Sequence, residues 1–456
     1  MPRTTRVPLP RRLTLLGAIA VVVGSMIGSG IFRSPAAIAR RLPTPGALMS
    51  VWVVGGLLAL CGALTLAEIT TALPRTGGIY VIVREGWGRL PAFLFGWAEV
   101  VIIRAAALGA VATTFAEYAL RMMGYDPRVA PYNTTVHYVA AVAIVVLAAL
   151  NIRGVRSSAL LLEVATVIKV GALLLIALAA AWLAPALMHT QQLSAPGATL
   201  VTPSGFGIAL VAVLWAYDGW ADLSFVAGEV TTPDRTLPRA LIGGTLAVLG
   251  IYCAANLAYL MVLPISTITT SSLVAADVAD KLVGHWGVAV VGAVVVVATV
   301  STLNGSLLTC PRIFFAMADD GLLFRPVAAV HPRYQTPYVA IALAAILGVV
   351  FVLARTFEQL ADTFILAIVP FYALSVAAVF PLRRQASYRP SFRLPGYPVV
   401  PTLFIVATIG VLGSALVDPT SRWPTLAVIG VILAGIPVFY FVRPAADRTA
   451  ASEAQE

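Results

Sequence analysis

Long apolar runs recur along the chain, broken by Pro, Gly and clustered charge. Each is long enough to cross a hydrocarbon layer, which takes about 20 helical residues. The pattern predicts twelve helices: 13–39, 46–73, 90–121, 136–151, 158–184, 205–228, 238–263, 284–316, 337–355, 359–382, 398–416 and 424–442. A shorter segment, 75–89, alternates apolar and polar residues in the manner of a helix lying along a membrane surface. What remains is short loops and two polar tails, with no room for a soluble domain. The basic N-terminus leads into the first run without a small-residue cleavage site, so that run reads as a first span and not a removed signal peptide.

Composition agrees: 60% of the 456 residues are hydrophobic and 11% are charged. A soluble domain carries about 25% charged residues. An ordinary soluble enzyme, a disordered chain and a secreted disulfide scaffold are therefore excluded. The net charge of +10 would suggest nucleic acid in a soluble protein, but here it reflects arginine in loops. With both termini inside, twenty basic residues fall on the cytoplasmic side and eight outside, among them Arg33, Arg40 and Arg41. That asymmetry satisfies the positive-inside rule. Cys61, Cys253 and Cys310 lie in apolar runs and read as buried thiols, and the four His form no ligand cluster, so no metal is expected.

Two spans carry poor helix chemistry at mid-depth. The first holds Gly24-Ser25-Met26-Ile27-Gly28-Ser29-Gly30, and each Gly costs about 1 kcal/mol against Ala in a helix. The sixth holds Trp215-Ala216-Tyr217-Asp218-Gly219-Trp220. Unwound backbone at membrane depth is tolerated only against protein or a wet cavity. Interrupted spans at corresponding places in two halves point to a transporter's binding site. A broken helix offers free N–H groups on one side and free C=O groups on the other. An α-amino acid presents both charges on one carbon. The amides around Gly28, Ser29 and Gly30 suit its carboxylate, helped by the Ser29 hydroxyl. The carbonyls of Trp215, Ala216 and Asp218 suit its ammonium. Ser25, Met26, Ile27 and Gly219 complete the candidate substrate site. Tight small-residue packing is the alternative use of the glycines.

Four mid-span charges need partners. Asp218 can bind a cationic substrate side chain, assist the amino group, exchange protons or pair with another helix. Lys169 can gate protons, hold the carbonyls of broken span 1, or snorkel to the interface. Glu99 and Arg104, five residues apart, read as structural. Glu68 and Glu163 read as solvated near span ends. Asn304, with Ser301 and Ser306, reads as interhelical bonding.

The segments VVGSMIGSGIF (22–32), TGGIYVIVREGWGRLPAFLFGWAEVVIIR (76–104), LWAYDGWADLSFVAGEVTTPDRTLP (214–238), STLNGSLLTCPRIFFAMADDG (301–321) and RPSFRLPGYP (389–398) resemble amino acid transporters of the amino acid–polyamine–organocation superfamily, close to the L-type branch. The resemblance covers nearly the whole chain in order. It implies an all-α membrane fold of twelve helices with a LeuT-type 5+5 inverted repeat: 13–184, then 205–382 inverted, then two appended helices over 398–442. These form one transporter domain, 1–442, with a cytoplasmic tail at 443–456. It implies alternating access at the cell membrane. A lysine matching Lys169 implies sodium independence, with exchange or proton coupling, and a tyrosine matching Tyr252 implies a gating role. The loop 122–135 lacks the Cys that tethers a heavy subunit in eukaryotic relatives, so no disulfide-linked partner is expected. No cofactor is implied, and no enzyme chemistry: there is no phosphate loop and no nucleophile elbow. A polyamine or amine carrier of the same fold and an amino acid sensor without transport are the competing functions.

Overall fold

A computed structural model describes residues 11, 13–153, 158–187, 201–319, 321–322, 325–334 and 336–442. The expected tail 443–456 lies outside them, as do the side chains of Glu163 and Cys310. Helices dominate. Among the described residues eleven are long and apolar enough to cross a membrane, and a twelfth, Tyr338–Ala354, has 17 residues. At 1.5 Å per residue that one spans about 26 Å, near the lower limit for a crossing. The chain is thus a multi-pass membrane protein.

In order, the spans are 1 (Leu15–Arg41), 2 (Pro45–Ala72), 3 (Arg89–Met122), 4 (Tyr132–Ile152), 5 (Ser158–Leu187) and 6 (Pro203–Glu229). Then come 7 (Pro233–Val262), 8 (His285–Asp319), 9 (Tyr338–Ala354), 10 (Phe357–Leu382), 11 (Val399–Val417) and 12 (Arg422–Phe441). Their packing repeats with an offset of five. Span 1 packs on 5 and 7, as span 6 packs on 10 and 2; the pairs 3–8 and 4–9 pack on each other. Spans 3, 10, 6 and 1 are the most buried. Small residues on span 2 let span 6 approach closely. A Cβ on Gly55, Gly56 or Gly62 would fall 2.2–2.7 Å from the side chains of Val213, Tyr217 or Trp220.

Three local expectations are corrected. The segment Gly78–Trp87 is helical, but Ile79, Tyr80, Val81, Ile82 and Val83 are buried. It docks under the second half of span 6, where the Gly77 amide donates to the Phe225 carbonyl at 3.2 Å. The stretch 264–283, read as loop, forms two short helices, Ile265–Thr270 and Val274–Val283, which lie against the second half of span 1 and the start of span 8. Cys61 and Cys253 are free and only partly buried.

Candidate functional site

Span 1 breaks between Leu15–Met26 and Gly30–Arg41. The Ile27 amide still donates to Val23, but the Gly28 amide turns back to Met26 at 2.9 Å. The second half starts at Ser29, whose side chain makes no capping bond. Helix geometry leaves its first amides, from Ser29 to Phe32, without partners inside the helix. Gly28 therefore lines the gap while its own N–H is already used, and the free amides begin one residue later than expected. Span 6 breaks after Tyr217. Gly219 sits at φ 106°, a conformation that favours glycine, and two short, tight turns of three residues per turn follow within Asp222–Glu229, kinked at Val226.

The breaks touch. A Cβ on Gly30 would lie 2.4 Å from the Ala216 Cα, and one on Gly219 would lie 2.7 Å from Ser25. Tyr252 of span 7 joins them: its hydroxyl lies 2.6 Å from the Met26 carbonyl and 2.9 Å from that of Ala216. One phenolic proton serves two carbonyls, one from each break. Lys169 is fully buried behind span 1 and donates to the Gly24 carbonyl at 3.2 Å and to Thr302 at 3.4 Å. Gly24 ends an intact turn just before the break, where carbonyls carry the negative end of the helix dipole. Lys169 does not snorkel.

A cavity of about 450 Å³ opens beside the crossing. Of the expected substrate residues, Ser25, Met26, Gly28, Ser29, Gly30, Trp215 and Asp218 line it. Ile27, Ala216 and Gly219 do not; Ala216 and Gly219 build the contact between the breaks, and Ile27 is buried. Lys169 and Tyr252 also stand behind the wall. Ser29 Oγ, Ser301 Oγ and Trp215 Nε1 are buried without a hydrogen-bond partner among the described residues, on residues that line the cavity. Buried polar atoms are normally paired, so three unpaired ones around one void mark a place for a polar ligand.

Three of the mid-span charges, Asp218, Glu99 and Arg104, line the cavity, and Asp222 joins them. Asp218 accepts a 2.5 Å bond from the Tyr372 hydroxyl of span 10. Asp222, one turn further on, also lines the void and is hydrogen-bonded by Ser25. Glu99 and Arg104 form the expected structural ion pair, at 3.1 Å, and both also line the cavity. Their spacing works because residues Glu99–Ile103 form a wide turn in which the Arg104 amide bonds to the Glu99 carbonyl. Asn304 accepts from Asn151 at 2.9 Å, an interhelical bond as expected.

Ion pairs lie beyond both ends of the cavity. Toward the second half of span 1, Arg33 is buried, not in an outer loop. It pairs with Glu117 of span 3 and, at 3.3 Å, with Glu358 of span 10. Its guanidinium stacks 4.5 Å above the Phe357 ring, and that ring and Phe364 meet Trp215 edge-on. At the other end Glu68 is fully buried, not solvated. It receives Arg383 at 2.6 and 2.8 Å, the Leu394 amide at 2.7 Å and the Tyr388 hydroxyl at 3.2 Å.

The sequence profile described as amino acid permease matches residues 13–436. The chain belongs to that family. The permease is 32% identical over 439 residues to the serine/threonine exchanger SteT of Bacillus subtilis (strain 168), covering 95% of the permease and 97% of that protein. It is 29% identical over 447 residues to the human b(0,+)-type amino acid transporter 1, covering 97% and 89%. It is also 29% identical to the human cystine/glutamate transporter, covering 96% and 86%. The permease is a transport protein and not an enzyme.

Proposed function

We propose that the permease is a secondary active transporter that exchanges α-amino acids across the cell membrane by alternating access, without sodium. The observation that carries this is the crossing of two broken spans at one cavity. Ser29 and Gly30, at the start of the second half of span 1, line it together with Trp215 and Asp218 of the span 6 break. Amides and a helix N-terminus favour a carboxylate; carbonyls and a carboxylate favour an ammonium. A ligand bearing both on one carbon satisfies both ends at once. The substrate residues are Ser25, Met26, Gly28, Ser29, Gly30, Trp215 and Asp218, with Ile27, Ala216 and Gly219 as the frame and Lys169 and Tyr252 as coupling and gating residues.

Lys169 supports sodium independence. Its ammonium already satisfies the Gly24 carbonyl at the end of the first half-helix, so a fixed cation stands where a mobile one would be needed. The offset-of-five packing supports two repeats, 13–184 and 205–382, with 398–442 appended in a single domain, 1–442. The basic-residue asymmetry supports both termini on the cytoplasmic side of the cell membrane. Arg33, Phe357 and Trp215 then close the outer end. The permease works in the lipid bilayer without a disulfide-linked heavy subunit, supported by the absence of Cys from 122–135.

The test is counterflow in sodium-free proteoliposomes. Labelled amino acid should accumulate only when unlabelled amino acid is preloaded. Binding without flux would support the sensor reading. Flux of amines without amino acids would support the amine carrier.

A further inference from the structure

Asp222 lines the cavity and was not singled out by sequence. We propose that Asp222 is a specificity-determining residue that selects α-amino acids with a second, cationic group at the end of the side chain. This rests on the proposed seating of the α-amino acid across the two breaks.

The charges of the cavity decide it. Among the described residues, four ionisable groups bearing formal charge line it: Glu99, Arg104, Asp218 and Asp222. Glu99 and Arg104 cancel as a 3.1 Å pair. A bound α-amino acid brings a carboxylate, met by backbone amides, and an ammonium, met by carbonyls and Asp218. Asp222 then remains as the carboxylate in excess: the neutral Ser25 hydroxyl lies against it, and the one opposite charge acting on it is Arg104, which already pairs with Glu99. A ligand with a neutral side chain displaces water from this carboxylate and offers no compensating charge. Desolvating an unpaired charge is costly. A ligand with a terminal ammonium or guanidinium supplies that charge. The placement allows it: Asp222 follows Asp218 by four residues through the unwound turn of span 6, and both line one void. A lysine or ornithine side chain reaches several ångströms from its α-carbon. The wall on the way is apolar or small, from Val21 and Gly24 to Val226, which suits a methylene stem.

The test uses purified full-length protein and competition binding with lysine and with norleucine, which keeps the α-amino acid group and replaces the terminal ammonium by a methyl. Lysine should bind at least tenfold more tightly than norleucine. In Asp222→Asn the ratio should fall toward one, and in Asp222→Glu the preference should persist. A wild-type ratio near one, with norleucine and serine both binding, overturns the proposal and leaves the amino acid site standing. A lysine preference that survives in Asp222→Asn also overturns it. If no α-amino acid binds while cadaverine does, the functional reading itself falls and this proposal with it. Should Asp222→Asn fail to fold, Asp222→Ser makes the same test, and a wild-type ratio near one overturns the proposal without any variant.

Discussion

The two helix breaks solve one problem by opposite means. The break in span 1 brings no ionisable side chain of its own. Its polarity comes from backbone amides, a serine hydroxyl and two glycines, and its one charged neighbour, Lys169, stands behind the wall. The break in span 6 carries Asp218 and, a turn later, Asp222, both facing the void. One side attracts an anion through peptide dipoles that need no counter-charge; the other attracts a cation with a full carboxylate. A helix terminus carries only about half a charge, so the two ends are not equally strong. The carboxylate of the ligand is held by shape and several amides, and its ammonium by charge. Selectivity should therefore be easier to lose at span 1 through crowding and at span 6 through neutralisation.

The largest expected effect is steric. Gly30→Val places branched carbon where the first added atom already meets the Ala216 Cα at 2.4 Å, and should abolish exchange in proteoliposomes. Gly28→Ala meets nothing closer than 3.9 Å and should keep substantial exchange. Equal damage from both would show that the glycines serve general packing. Next, Lys169→Ala removes the fixed cation from Gly24. Trans-stimulated flux should fall more than tenfold while amino acid binding persists, and unchanged exchange kinetics would remove Lys169 from coupling.

Asp218→Asn should weaken binding of all α-amino acids by about tenfold or more, because a charge-assisted bond contributes about 1.5–3 kcal/mol. Loss confined to lysine and arginine would instead place side-chain recognition at Asp218. Tyr252→Phe removes the hydroxyl that ties the Met26 and Ala216 carbonyls. At about 1 kcal/mol per neutral bond, it should slow exchange severalfold with little change in affinity. Ser29→Ala should cost the least, about two- to fivefold in affinity, since the amides remain.

The parts of the site that sequence reveals are those that are locally costly. Three glycines in seven residues, an Asp-Gly pair and a lysine deep in an apolar run each violate the chemistry of a spanning helix, and each sits at the crossing or against it. Asp222 carried the same signal, an acid one turn beyond another in an apolar span, and was readable in principle. Tyr372 carried none. A phenol on an apolar helix is unremarkable until the fold brings it 2.5 Å from a carboxylate 154 residues away. Glu68 and Arg33 were misplaced for the same reason. Each lies near a span end in sequence, and each is buried because distant chain folds over it, residues 383–394 in one case and Glu117 with Glu358 in the other. The five-residue spacing of Glu99 and Arg104 looked wrong for an α-helix because the helix there is not α.

The central claim is that the amides of span 1 and the acid end of span 6 hold one α-amino acid between them. Thermal stabilisation of the purified permease tests it directly, because a ligand that binds only the folded state must raise its apparent stability. Three probes are compared at equal concentration: an amino acid, its methyl ester and its decarboxylated amine. Binding across both breaks predicts a shift from the amino acid and little or none from the other two. Equal shifts from the ester and the amine would contradict it, because the span 1 amides would then contribute nothing.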